Sequence, residues 1–230
     1  MGVDTPLRLT LRRSGDTEPL HASLTSAITE VAPVTVRPLP GGVGYIKVSL
    51  LTEKSGSDVK QALLDLPKQT GLVLDLRGNP GGQVEPVKEI ASALTNGGTI
   101  YAEMGPGARK HLVATPVGRR VPRRVVVLVD RGTASSAELL AAALRDKGVG
   151  TLAGRPTFGD SYLQTLYPLS DGSAYTLTTA KLLSPAGKNW QSAGLQPTVR
   201  VASGTPETQV LARAIALLKS RAHVAAAMER

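Results

Sequence analysis

Two stretches of this chain carry residues whose types and spacing could do chemistry. The first is Asp130-Arg131-Gly132-Thr133-Ala134-Ser135-Ser136-Ala137-Glu138, followed by Leu139, Leu140, Ala143 and Leu144 at helical spacing. Arg124 to Val129 before it is a β-branched apolar run, the signature of a buried strand. A strand that turns through Gly-Thr-Ala-Ser into a helix brings a hydroxyl to the helix N-terminus. Backbone N–H groups there lack intrahelical partners and the macrodipole is positive, so an oxyanion is stabilised. The same residues also fit a structural part, in which Thr133, Ser135 or Ser136 caps the helix and Glu138 completes a capping box. The second stretch is Asp75-Leu76-Arg77-Gly78-Asn79-Pro80-Gly81-Gly82. Without Cβ atoms, Gly81 and Gly82 either let the backbone approach a ligand and aim N–H groups at it, or supply the positive φ of a turn. Asp75 and Arg77 read as a hydrogen-bonded lock on that turn.

Composition narrows the chemistry. The 230 residues contain no cysteine, which removes disulfides, thiolate metal sites and a cysteine nucleophile. No Asp, Glu or His cluster has metal-ligand spacing, and no metal or cofactor is expected. His21, His111 and His223 fall in the N-terminal hairpin, a polar segment and the last helix, and none is placed like a triad histidine. The net charge of +9 favours anionic surfaces, and Arg119, Arg120, Arg123 and Arg124 cluster around Pro122. With only seven Phe, Trp and Tyr residues there is little to stack bases on, so this cluster reads as a solvated loop and nucleic-acid binding is not expected. No apolar run reaches transmembrane length, and Met1 leads no signal-peptide pattern.

The elements that must position these residues follow from periodicity. Pro6 to Arg13 alternates Leu7, Leu9 and Leu11 with polar residues, and Leu20, Ala22 and Leu24 alternate again beyond a Ser14-Gly15-Asp16 turn. This hairpin is too small to be stable alone. Pro33, Pro38, Pro40 and Gly41-Gly42 read as a linker before a strand at Val43 to Leu50. A helix over Ser55 to Leu66, an apolar strand over Gly71 to Leu76 and a helix over Val84 to Leu94 follow. Asn96 to Arg120 reads as a polar segment. After the second stretch's helix, Thr151 to Pro168 and Ser173 to Leu183 read as strands, and Pro206 to Met228 as one long helix. Strand-helix alternation from Val43 to Arg145 predicts α/β layering.

Taken in order, Leu74 to Gly82, Gly132 to Glu138, and Thr157-Phe158-Gly159 with Gln164 resemble the carboxyl-terminal processing proteases, the tail-specific serine peptidases. Thr179-Ala180-Lys181, Ser184-Pro185-Ala186-Gly187 and Gly194-Leu195-Gln196-Pro197 resemble that family's closing segment. The resemblance covers about Val43 to Val201 and is far more specific jointly than in any one motif. It implies a crotonase/Clp-protease-like α/β spiral core over residues 31–205, with a C-terminal helix over 206–230. Residues 1–30 are similar to the last strands of a PDZ domain, a partial β appendage.

The resemblance also implies site residues. Ser135 stands at the nucleophile, Gly81, Gly82 and Ser136 at the oxyanion hole, and Gln164 at the residue that orients the general base. The family's base is a lysine in a Thr-Phe-Gly-Lys motif, and this chain has Asp160 there. A serine hydroxyl needs a base at neutral pH, and a carboxylate of ordinary pKa near ~4 is a weak one. Lys181 and Lys147 belong to other elements and are not expected to substitute. The implied activity is hydrolysis of peptide bonds near unstructured C-termini of polypeptide substrates, impaired by Asp160. The alternative is an inactive peptide-binding or scaffold homologue. A crotonase-type acyl-CoA enzyme explains neither the Thr157 to Gln164 stretch nor the hairpin. The resemblance also implies an extracytoplasmic compartment, periplasmic or secreted, and a homo-oligomer is one possible state.

Overall fold

The computed structural model describes residues 3–28, 32–66, 71–116 and 124–228, with side chains to residue 220. The chain divides into two units, Met1–Ala32 and Pro33–Arg230. In the first, β1 (Pro6–Leu11) pairs antiparallel with β2 (Leu20–Thr25), Leu7 opposite Leu24 and Leu9 opposite Ala22. The Asp16 N–H donates to the Arg13 carbonyl at 3.1 Å, and Gly15 takes φ +97°, closing the expected turn. Leu11, Leu20 and Leu24 stay exposed on this hairpin.

The second unit is built on a six-stranded sheet in the order β12-β9-β8-β5-β4-β3. Its strands are β3 (Val34–Leu39), β4 (Val43–Val48), β5 (Gly71–Asp75), β8 (Val125–Val129), β9 (Gly150–Gly154) and β12 (Val199–Arg200). All neighbours are parallel except β3, which runs antiparallel to β4. Alternation along the buried strands divides the core in two. Ile46, Val48, Leu72, Leu74, Val125, Val127 and Val129 pack with α1 (Ser55–Asp65), α2 (Glu85–Leu94) and α3 (Ser136–Asp146). Val43, Tyr45, Val73, Val126 and Leu128 pack instead with Val210, Leu211, Ala214 and Leu218 of α4 (Glu207–Met228).

A second, antiparallel sheet has the order β10-β11-β6-β7, with β6 (Gly98–Met104), β7 (Lys110–Thr115), β10 (Tyr162–Pro168) and β11 (Ala174–Leu183). A short 3-10 turn, Pro106–Ala108, joins β6 to β7. This sheet takes up much of the polar segment that begins at Asn96: β6 and β7 set its polar residues beside the buried Ile100, Tyr101 and Ala102. The linker reading of residues 33–42 is corrected. Val34–Leu39 is β3, and Pro38 fits because β3 is an edge strand that needs no outward ladder bond at that position. Thr151 to Pro168 is not one strand, because Gly154, at φ +133°, ends β9 and the chain crosses to the other sheet. The cluster Arg119, Arg120 and Arg123 lies outside the described residues.

Candidate active site

The parallel strands β5 and β8 both end in tight turns at their carboxyl ends, the place where open α/β sheets present ligand sites. The turn after β5 is locked by a buried carboxylate. Arg77 Nε donates to Asp75 Oδ1 at 2.9 Å, its Nη2 lies 2.5 Å from Oδ2, and Tyr45 Oη donates to Oδ2 at 2.8 Å. Burial, then the Asp75 charge, pushes the Tyr45 hydroxyl up to about 12, while the bond to Asp75 raises the Arg77 guanidinium further. Next in the turn, buried Asn79 donates from Nδ2 to the Val48 carbonyl at 2.9 Å and accepts the Gly81 N–H on Oδ1 at 2.8 Å.

The turn after β8 is bolted to the first. Asp130 Oδ1 accepts the N–H groups of Gly78 and Gly132, both at 2.9 Å. Thr133 Oγ1 donates to the Leu76 carbonyl at 2.8 Å, the Ala134 N–H to the Asn79 carbonyl at 2.9 Å, and Ser136 Oγ to the Gly82 carbonyl at 3.1 Å. Glycine is required where the turns touch. A Cβ on Gly81 would sit 2.9 Å from the Ser135 Cβ, and one on Gly82, at φ +124°, would sit 2.2 Å from the Leu51 carbonyl oxygen.

These contacts hold Ser135 at φ 52°, ψ −123°, immediately before α3. A non-glycine residue there costs roughly 1–3 kcal/mol and persists only where its surroundings over-determine it. The main constraint is Glu138, which has no exposed surface. Its carboxylate accepts the N–H groups of Ser135 at 3.0 Å, Gly159 at 2.9 Å and Asp160 at 2.9 Å, together with the Thr157 hydroxyl. Burial raises its pKa, and the four bonds oppose that rise without cancelling it. The capping-box glutamate thus ties the serine turn to the Thr157-Phe158-Gly159-Asp160 loop, a role its sequence position alone does not reveal. Phe158 N–H to the Thr133 carbonyl, at 2.9 Å, adds a second tie.

Ser135, Asp160, Gln164 and Gly82 come together on one open cleft of about 540 Å³, completed by Pro80, Gln83, Val84, Glu85, Tyr162, Leu163 and Leu182. Gly81 and Ser136, buried in the two turns, are not among the residues that line it. The Gly81 N–H is taken by Asn79, whereas among the described residues the Gly82 and Ser136 N–H groups have no hydrogen-bonding acceptor. Asp160 is half-buried and accepts the Tyr162 N–H on Oδ1 at 3.2 Å; Gln164 is exposed at a β-bulge in β10. Among the described residues no lysine lines the cleft. Lys147 Nζ donates to the Gly97 carbonyl at 2.8 Å, and Lys181 is exposed on β11. His21 lies beside Thr10 in the hairpin and His111 is exposed on β7, 3.9 Å from Glu103. The side chain of His223 lies outside the described residues. Among the described residues no three His, Asp or Glu groups converge as a metal site requires, and no helix is long and apolar enough to cross a membrane.

Comparison with known proteins assigns this architecture to a class. The model of peptidase family S41 matches residues 42–201. A carboxy-terminal-processing protease of Bartonella bacilliformis is 33% identical over 214 residues, 88% of this chain and 48% of the relative. A carboxyl-terminal-processing protease of Synechocystis is 34% identical over 84% of this chain and 47% of its own length. Among solved structures, a photosystem II D1 C-terminal processing protease superposes with a TM-score of 0.73 at 29% identity, covering 92% of this chain and 60% of that one. The class so defined is the serine-type peptidases. Within it, this chain belongs to peptidase family S41, and it spans about half the length of the curated relatives it matches.

Proposed function

We propose that this chain is a tail-specific serine endopeptidase whose nucleophile is Ser135 and whose turnover is slowed by Asp160. The carrying observation is that Ser135, at a strained φ before the N-terminus of α3, opens on the same cleft as Gly82, Asp160 and Gln164. In this reading Ser135 Oγ attacks the scissile carbonyl and its proton passes to the Asp160 carboxylate, then to the leaving amine. Water afterwards hydrolyses the acyl-enzyme. The developing oxyanion is met by the Gly82 and Ser136 N–H groups at the positive end of α3, while Gly81, its N–H held by Asn79, shapes the turn. Gln164 orients the proton acceptor. The polypeptide enters extended, adding as a strand beside the protein's own sheet. The first unit supplies the last strands of a PDZ-type module, and the working compartment is extracytoplasmic.

An inactive, peptide-binding homologue is the second reading, favoured by the absence of lysine from the cleft lining among the described residues. Loss of an effective general base costs ~10²–10⁴ in rate. The two separate in one experiment: the chain is treated with a fluorophosphonate and the modified residue located by mass spectrometry. Labelling of Ser135, with slow hydrolysis of an unfolded polypeptide that Asp160→Lys accelerates, supports the peptidase. No labelling and no hydrolysis by either form leaves the binding homologue.

A further inference from the structure

A second cavity, of about 60 Å³, lies at the carboxyl ends of β5, β8 and β9 and shares no lining residue with the cleft of Ser135. Three short segments build it: Arg77 comes just after β5, Asp130 just after β8 and Arg155 just after β9. Glycine lets the last two strands close tightly there. Gly154 sits at φ +133°, where a Cβ would lie 2.0 Å from the Val129 carbonyl oxygen. The loop from Val201 to Thr205 completes the wall. In it Thr205 Oγ1 donates to the Ala202 carbonyl at 2.9 Å, and Gly204 takes φ +77° before α4 begins.

Its lining combines an apolar part, Val129, Val201, Ala202 and Val210, with a charged part, Arg77, Asp130 and Arg155. The guanidinium groups have donors to spare, since each arginine carries five. Arg77 spends Nε and Nη2 on Asp75, and among the described residues its Nη1 has no acceptor. Arg155 donates from Nη1 to Ser203 Oγ at 3.2 Å, and its Nε has no acceptor among the described residues. The carboxylate of Asp130 has an oxygen to spare. Its Oδ1 takes the N–H groups of Gly78 and Gly132, whereas Oδ2 lies 3.8 Å from Arg155 Nη2, too far for a hydrogen bond. Asp75, by contrast, is already matched by Arg77 and Tyr45. The complement of this lining is a small group that brings anionic oxygens to the arginines and a cationic donor to Asp130.

We propose that this cavity binds a small zwitterionic α-amino acid, glycine or alanine, with its carboxylate on Arg77 and Arg155 and its ammonium on Asp130 Oδ2. The bonds so formed are charge-assisted, and the alanine methyl meets the valines of the apolar part. Size selects the ligand. A water-sized group takes ~10–15 Å³ of such a volume, so the cavity takes about four to six non-hydrogen atoms, which glycine and alanine satisfy and leucine exceeds. Charge selects it further. Acetate leaves Asp130 Oδ2 unmatched, and inorganic phosphate brings a second negative charge against that carboxylate. Because Asp130 Oδ1 bolts the turn after β5 to the turn after β8, occupation stabilises both turns. None of this depends on Ser135 being reactive.

The whole chain is titrated with alanine by isothermal titration calorimetry, and thermal melts are recorded across the same concentrations. Saturable, equimolar binding is expected, with a Tm that rises with ligand. Alanine is expected to bind at least tenfold more tightly than acetate, alaninamide, inorganic phosphate or leucine. Arg155→Met, at a side chain 43% exposed, should weaken alanine binding at least tenfold. Ala202→Phe, which fills the cavity from an exposed position, should do the same. If alanine at tens of millimolar neither binds nor moves the Tm, the proposal is overturned. Equal affinity for acetate or phosphate overturns it too, because the site then takes any small anion. So does alanine binding that both variants leave unchanged, which puts the ligand elsewhere. Failure of hydrolysis or of fluorophosphonate labelling at Ser135 bears only on the peptidase reading and leaves these outcomes untouched.

Discussion

A carboxylate without exposed surface is usually neutralised by a cation; Glu138 is held by three backbone N–H groups and a hydroxyl. Each donor comes from a segment the site depends on, so the group works as a joint between the serine turn and the Asp160 loop. Glu138→Gln replaces an acceptor by an NH₂ that faces donors, leaving buried N–H groups unpaired at about 1–3 kcal/mol each. A loss of about 2–4 kcal/mol in urea denaturation is expected, with fluorophosphonate reactivity lost alongside. The pH dependence has a definite sign. A carboxyl whose pKa is raised binds its proton more tightly in the fold than in the unfolded chain. Its contribution is full below its ordinary value of 4.5 and is lost as pH rises through the folded value. The variant, which cannot titrate there, should fall furthest below the parent under pH 4.5 and recover part of the gap toward neutrality.

At the scale of elements, helix α3 is fastened at both ends. Its first turn carries Ser135 and Glu138, and its last residue, Asp146, accepts the Ala186 N–H at 3.1 Å and Arg145 Nε at 2.8 Å. Burial alone would raise the Asp146 pKa, but bonds from Ser184, Arg145 and Ala186 outweigh it and the net shift is downward. A lowered carboxyl stabilises the fold above its ordinary value of 3.8, and that stability is lost as pH falls through the folded value. Asp146→Asn should therefore cost about 1–2 kcal/mol at neutral pH, and the difference from the parent should vanish in acid, as thermal melts across pH will show. Element boundaries were legible where burial is two-sided: β5 and β8 are continuous apolar runs, and the helices of the core carry their stripes. They were not legible in β3, β6 and β7. Those strands are half-solvated, and their short polar-apolar alternation is matched by many loops.

At the scale of the whole molecule, the second unit stands on two separate cores, one on each face of the six-stranded sheet. Leu218 is buried in the α4 face, close enough to β5 that a Cβ on Gly71 would meet it at 2.9 Å. Leu218→Ala should cost about 2–4 kcal/mol through lost burial and the cavity left, measured by urea denaturation. Because β5 and β8 carry the site turns at their ends, such a change should also depress labelling of Ser135 without touching the cleft. By itself the sequence determined the α/β alternation, the family and the motifs around Ser135, Gly81-Gly82 and Gln164, because local period, turn chemistry and residue spacing are written along the chain. Tertiary structure alone decided that Asn79 claims the Gly81 N–H, that Glu138 joins two loops nineteen or more residues apart, and that Arg77, Asp130 and Arg155 line one cavity. Those facts depend on which groups meet after the strands are ordered in space. The serine turn is visible in one dimension; what holds it strained, and what lies beside it, exist only in three.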